Sequence, residues 1–159
     1  MKKTLSRLPR VVRLAALSAV LLALCSKSSP LYAFNDWMDA NIFFTMGRSM
    51  LGGRVLYSDV FDHKGPVLYL LYGLAGLVGG TDFRGVLVLE IIAMTSFLYT
   101  GLRTAELLAG RRLSVWWMAL PAAGMAASRA FSHGGSAEEL LLPFVDLKTE
   151  YYDLGLLHR

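Results

Sequence analysis

The stretch "FNDWMDANIFFTMGRSMLGGRVLYSDVFDHKGP", residues 34–66, carries four aspartates, Asp36, Asp39, Asp59 and Asp62, followed by Lys64. A carboxylate can accept a proton from an attacking group, and a lysine can offset charge developing on a departing phosphate. Beside a membrane, that pairing is what transfer from a lipid phosphate needs. The competing reading is a solvated connector whose acids and lysine simply face water. Three features favour chemistry: Asp36 and Asp39 flank Trp37, a helix at the membrane surface follows them, and Asp59, Asp62, His63 and Lys64 stand directly before a hydrophobic segment. His63 and His133 are the candidate ligands for a divalent metal, since imidazole and carboxylate suit several such ions. No diagnostic ligand spacing links them.

The elements that must hold these residues are those of a membrane protein. Of the 159 residues 55% are hydrophobic and only 18% charged, below the roughly 25% of soluble domains, and the mean hydropathy is +0.47. The net charge of +4 does not point to nucleic acid. Lys2, Lys3, Arg7, Arg10 and Arg13 flank the first apolar run, where an inner-leaflet anchor places them, and no basic stripe interleaved with aromatics appears. The single cysteine, Cys25, excludes an internal disulfide. Leu24 is too bulky for a lipoprotein cleavage box, so Cys25 is expected as a buried apolar residue.

The first apolar run, from Leu8 to Ala23 or a little beyond, reads as an uncleaved helix rather than a signal peptide, because its cleavage pattern is poor. The N-terminus then lies in the cytoplasm and the chain from residue 31 onward emerges outside. Residues 31–65 form a loop in which "DANIFFTMGRSMLGG" predicts a short helix, capped by Asp39 and stopped at Gly52 and Gly53. Asn41, Thr45 and Arg48 fall on one stripe and Ile42, Phe43, Met46 and Met50 on the other. At about a dozen residues it cannot span a bilayer, so it is expected to lie in the interface, apolar face down. Residues 66–80 reach only about 22 Å as a helix and contain four glycines; a re-entrant or tilted element is expected. Residues 85–110 are long enough to span, with Glu90 and Glu106 interrupting them, and 113–131 form another candidate kinked at Pro121. A further apolar run starts within 132–145. The fold class is therefore an all-α membrane protein of about three to five hydrophobic helices, with the amphipathic helix in its first extracytoplasmic loop. Glu90 reads either as an ion-path acid or as an interhelical polar contact.

Residues 28–145 resemble the N-terminal part of the polytopic GT-C glycosyltransferases, closest to bacterial members related to the protein mannosyltransferases and aminoarabinose transferases. The likeness rests on an acid after the first helix, the amphipathic helix ending at "ML", the "Y-x-D" of Tyr57 and Asp59, the "KGP" of Lys64–Pro66, and "SHGGSAEELLLPF". It implies that Asp39 is the catalytic acid with Asp36 its rival, that Lys64 binds the donor phosphate with Arg48 assisting, and that Tyr57, Asp59, Asp62 and Glu138 support the site. It implies transfer of a sugar from a polyprenyl-phosphate donor to an acceptor on the outer face of a bacterial inner membrane. The partners are then membrane lipid and the lipid-linked sugar, not nucleic acid; the oligomeric state is left open. Residues 146–159, "DLKTEYYDLGLLHR", depart from the pattern and read as a truncation or frameshift, which implies that this chain is inactive alone. The alternative is a non-catalytic small integral membrane accessory protein whose loop binds a partner or lipid headgroups.

Overall fold

A computed structural model describes residues 9–128 and 133–141, and in these the chain is all-helical. The polar tail at 146–159 lies outside the described residues.

Helix α1 spans Arg10–Cys25. Pro9 precedes it with φ −53°, a geometry that suits a helix entrance. The chain turns extended at Ser26, whose N–H still reaches Leu22 O at 2.8 Å. Helix α2 spans Met38–Leu51, α3 Pro66–Gly79 and α4 Arg84–Ala109. A 3-10 turn at Val115–Met118 leads into α5, Ala119–Ala126. With 26 residues α4 is about 39 Å long, more than a hydrocarbon core of about 30 Å. It is the one described helix long and apolar enough to cross a membrane. Its end is set by Gly110 at φ 61°, where a side chain would be strained. Glu90 and Glu106 do not interrupt the helix; both turn inward and are buried.

Two cores result. Leu14 and Leu22 of α1 pack with Met94, Leu98 and Leu102 of α4, and with Val115 and Ala122. The two helices run antiparallel: Arg10 pairs with Glu106 at 2.8 Å at one end, and Ser28 donates to Glu90 at 2.7 Å at the other. The second core joins Phe43, Phe44 and Met46 of α2 to Tyr69, Tyr72 and Ala75 of α3 and to Val86.

Several expectations are corrected. The apolar stripe of α2 is covered by protein: Phe43 and Met46 are buried against α3, while Asn41, Thr45 and Arg48 stay exposed. The reason is a close crossing at two glycines, where a Cβ on Gly47 would stand 2.4 Å from Gly73 N. Asp39 does not cap α2; Trp37 holds that position and Asp39 lies in the first turn. Of the segment expected at 113–131, the described part, 113–128, holds a 3-10 turn and an eight-residue helix rather than a kinked span, with Pro121 in the first turn of α5, where a missing N–H costs little; 129–131 lie outside the described residues. Cys25 is half-buried.

α3 leaves the Lys64 loop and ends at Gly79, and residues 81–84 border a cavity shared with residues 27–35. The C-terminal end of α3 therefore lies near Ser28. From there α4 carries the chain to the end where Arg10 meets Glu106, near Arg103, Arg111 and Arg112.

Candidate functional site

The segment "YSDVFDHKGP" folds into a tight scaffold around Lys64. Asp59 Oδ2 accepts from Val55 N–H at 2.8 Å, and Tyr57 N–H donates to Val60 O at 2.7 Å, which turns the chain with Tyr57 at φ 66°. Tyr57 Oη donates to Lys64 O at 2.7 Å. Tyr69 Oη donates to Asp62 Oδ2 at 2.8 Å and accepts from Lys64 N–H at 2.9 Å. Burial works against ionisation of Asp62, but hydrogen bonds from Tyr69 and His63 outweigh it and hold the carboxyl below its usual range. Burial first, then Asp62, pushes the Tyr69 phenol up, so it remains a donor. Tyr57, Asp59 and Asp62 thus fix the backbone on either side of Lys64 rather than presenting free groups.

Lys64 borders a groove of about 300 Å³ that is also lined by Val67, Leu68, Leu71, Leu140 and Glu138. The structure therefore brings Lys64 and Glu138, expected from separate motifs, to one groove. Arg48 does not join them: it is exposed, and its guanidinium lies over the Phe44 ring at 5.7 Å.

The two rival acids differ. Asp36 forms an ion pair with Lys27, and that hydrogen bond holds its carboxyl below its usual range. Asp39 is half-buried and has no hydrogen-bond or ion-pair partner among the described residues. It lies near enough to Tyr72 for their charges to interact. Neighbouring Ala40 would touch a Cβ on Gly135 at 3.3 Å. His133 and Gly135 therefore pack on the start of α2.

The histidines do not assemble a metal site. His63 Nδ1 sits 3.0 Å from Asp62 and is 79% exposed. His133 meets the Trp37 ring edge-on at 4.5 Å. Among the described residues no three potential ligands cluster.

Sequence reasoning missed a buried polar knot. Glu139, not Glu138, points inward: it is 2% exposed and its Oε2 accepts from Gly135 N–H at 2.9 Å. Its own N–H donates to Ser136 Oγ at 3.2 Å. This is the S-x-x-E pattern of a helix start, and "SAEE" carries it in plain view. Burial, and then the nearby Glu90, push the Glu139 carboxyl up. Tyr72 Oη donates to Gly135 O, and Asn35 donates to Gly134 O at 3.2 Å.

Compared with protein-family models, with curated proteins and with solved structures, the chain gives no match.

Proposed function

We propose that the chain is a GT-C type membrane glycosyltransferase, or a piece of one, acting from a polyprenyl-phosphate sugar donor on the outer face of a bacterial inner membrane. The observation that carries this reading is the Lys64 groove: one cation and one acid, Glu138, on a groove otherwise lined by apolar side chains and Gly65. That composition suits an amphiphile with an anionic head. The ammonium would meet the phosphate and the apolar wall the first part of the tail.

The membrane reading is supported by α4 and by large apolar side chains left bare, among them Val20, Leu24, Ile92, Leu108 and Leu120, each more than half exposed. Bare apolar area on that scale marks a membrane or protein contact. Asp39, which has no hydrogen-bond or ion-pair partner among the described residues, would take a proton from the acceptor. Lys64 would offset the charge on the leaving phosphate.

The test is binding of polyprenyl phosphate to the chain in nanodiscs, followed by native mass spectrometry. Lys64→Ala should weaken binding by about tenfold or more, the scale of a lost charge-assisted hydrogen bond. Lys27→Ala, already paired with Asp36, should leave it unchanged. Equal binding by wild type and Lys64→Ala would remove the reading.

A further inference from the structure

Glu90 and Glu139 meet behind Gly134 and Gly135, and each is 2% exposed. Glu90 Oε1 accepts from Ser28 Oγ at 2.7 Å, and Ser26 Oγ and Gly135 N–H also address Glu90. Gly135 N–H donates to Glu139 Oε2 at 2.9 Å as well. Two carboxylates that draw on one N–H stand side by side. Their other oxygens, Glu90 Oε2 and Glu139 Oε1, are buried with no partner among the described residues.

Among the described residues, the charged and titratable groups facing the pair do not neutralise it. α3 contributes Tyr72, whose phenol feels Glu90, Glu139 and Asp39 of α2. The pair's own turn contributes Glu138, another acid. α1 and its exit contribute only the hydroxyls of Ser26 and Ser28. Two negative charges this close in a low-dielectric interior repel strongly, and a buried carboxylate lacking a partner is costly. One proton held between the two orphan oxygens removes both penalties.

The loop that covers the pair fits only as glycine. A Cβ on Gly134 would stand 2.0 Å from Ser26 Oγ and 3.1 Å from Glu90 Oε1, and one on Gly135 would stand 2.7 Å from Tyr72 Oη. Both glycines have positive φ, 71° and 77°.

We propose that Glu90 and Glu139 share one proton, and that this proton latches the Gly134–Gly135 loop into the bundle beside Asp39, with loss of the proton releasing it. The inference does not depend on the glycosyltransferase reading. Opening frees the proton, because burial and the neighbouring carboxylate raise the closed pair above the ordinary glutamate range, so the open state gains as pH rises above that range.

Two measurements on the whole chain in detergent or nanodiscs test it. Infrared spectra of wild type at neutral pH should show the C=O stretch of a protonated carboxyl, absent from Glu90→Gln and Glu139→Gln. Hydrogen exchange of residues 133–141, corrected for intrinsic base catalysis, should quicken with rising pH by roughly tenfold per pH unit where opening releases one proton. In Glu139→Gln the amide donates to Glu90 permanently, and exchange should lose this pH dependence. Absence of the carboxyl band in wild type overturns the proposal, as does protection that follows added calcium or sodium instead of pH, which would put a cation between the carboxylates. Both wild-type readouts stand even if the variants fold poorly.

Discussion

Asn35 donates from its side-chain amide to the carbonyl oxygen of Gly134, 3.2 Å away and 99 residues further along the chain. Asn35 is 3% exposed, and its Oδ1 accepts from Trp37 N–H at 3.0 Å. One side chain thus ties the second motif to the start of α2, where Asp39 sits. Asn35→Ala leaves Gly134 O and Trp37 N–H unmatched in a buried place. A loss of about 1–3 kcal/mol is expected, measured by denaturant unfolding in mild detergent. Unchanged stability would show that water replaces the amide and that the tie is not structural.

Gly47→Ala should be among the most damaging single-methyl changes in the protein. Its Cβ would lie 2.4 Å from both Gly73 N and Tyr69 O, so α2 and α3 must separate. Overpacking of this kind typically costs about 1–3 kcal/mol. Gly124→Ala is the control: it is exposed in α5 with nothing within 4 Å, and a gain of about 0.5–1 kcal/mol is expected there. Thermal unfolding of the two variants side by side decides the matter, and equal effects would rule out the close crossing.

The contrast between these two glycines also shows what the sequence made legible. Periodicity and end signals located α1, α3 and α4 to within a few residues, because Pro66, Gly79–Gly80 and Gly110 punctuate long apolar runs. The exposed stripe of Asn41, Thr45 and Arg48 was equally plain. The surface that the opposite stripe meets was not, since the crossing depends on Gly47 and Gly73 in separate helices. Glu90 was visible as an acid in an apolar run, but its neighbour Glu139 is 49 residues away and becomes its neighbour only through the loop between them. The described part of the segment expected at 113–131 misled because apolar content alone does not distinguish a 3-10 turn with a short helix from a span. At the candidate site, Tyr57, Asp59 and Lys64 were singled out as a motif, yet the residue that organises them, Tyr69, looks in sequence like one more aromatic in an apolar helix.

On the glycosyltransferase reading proposed above, and in a form of the protein that carries out the transfer, Asp39→Asn should abolish sugar transfer, with a loss of around a hundredfold or more, the usual cost of removing a proton acceptor. Asp36→Asn removes only the tie to Lys27 on the surface and should do far less. The measurement is transfer from a polyprenyl-phosphate donor in membranes, with expression of each variant checked. Full activity in both variants would discard the assigned role of Asp39.

The Lys64 scaffold should be acid-sensitive. Asp62 is held below 3.8, against burial, by hydrogen bonds from Tyr69 and His63. A carboxyl lowered in the folded state contributes stability that is present above its unfolded value and lost as pH falls through the folded one. Wild type should therefore lose stability on acidification below about 3.8 more steeply than Asp62→Asn, which has no charge to lose. Unfolding midpoints along an acid series of both proteins check this. Parallel curves would show that Asp62 does not anchor the loop.

The last prediction concerns sidedness. α1 and α4 run antiparallel, so Arg10, Arg103, Arg111 and Arg112 gather near Glu106 at one end, while Asp36, Asp39 and Glu139 sit at the other. Basic residues near span ends favour the cytoplasm. If α3 crossed the membrane as well, α4 would return in the opposite sense and put Arg111 and Arg112 outside. Its 14 residues reach about 21 Å against a core of about 30 Å, and it packs along α2. A non-spanning helix buried in protein is tolerated at that depth. In a Cys25→Ser background, single cysteines at Ser58, Glu138 and Arg111 decide it, since all three positions are exposed. Ser136 is unsuitable, because it is 4% exposed and caps the following turn. Cysteines at positions 58 and 138 should react with an impermeant thiol reagent in intact cells, and the cysteine at 111 only after lysis. Labelling of 58 without 138 would place Lys64 and Glu138 on opposite faces, and the shared groove would fall with it.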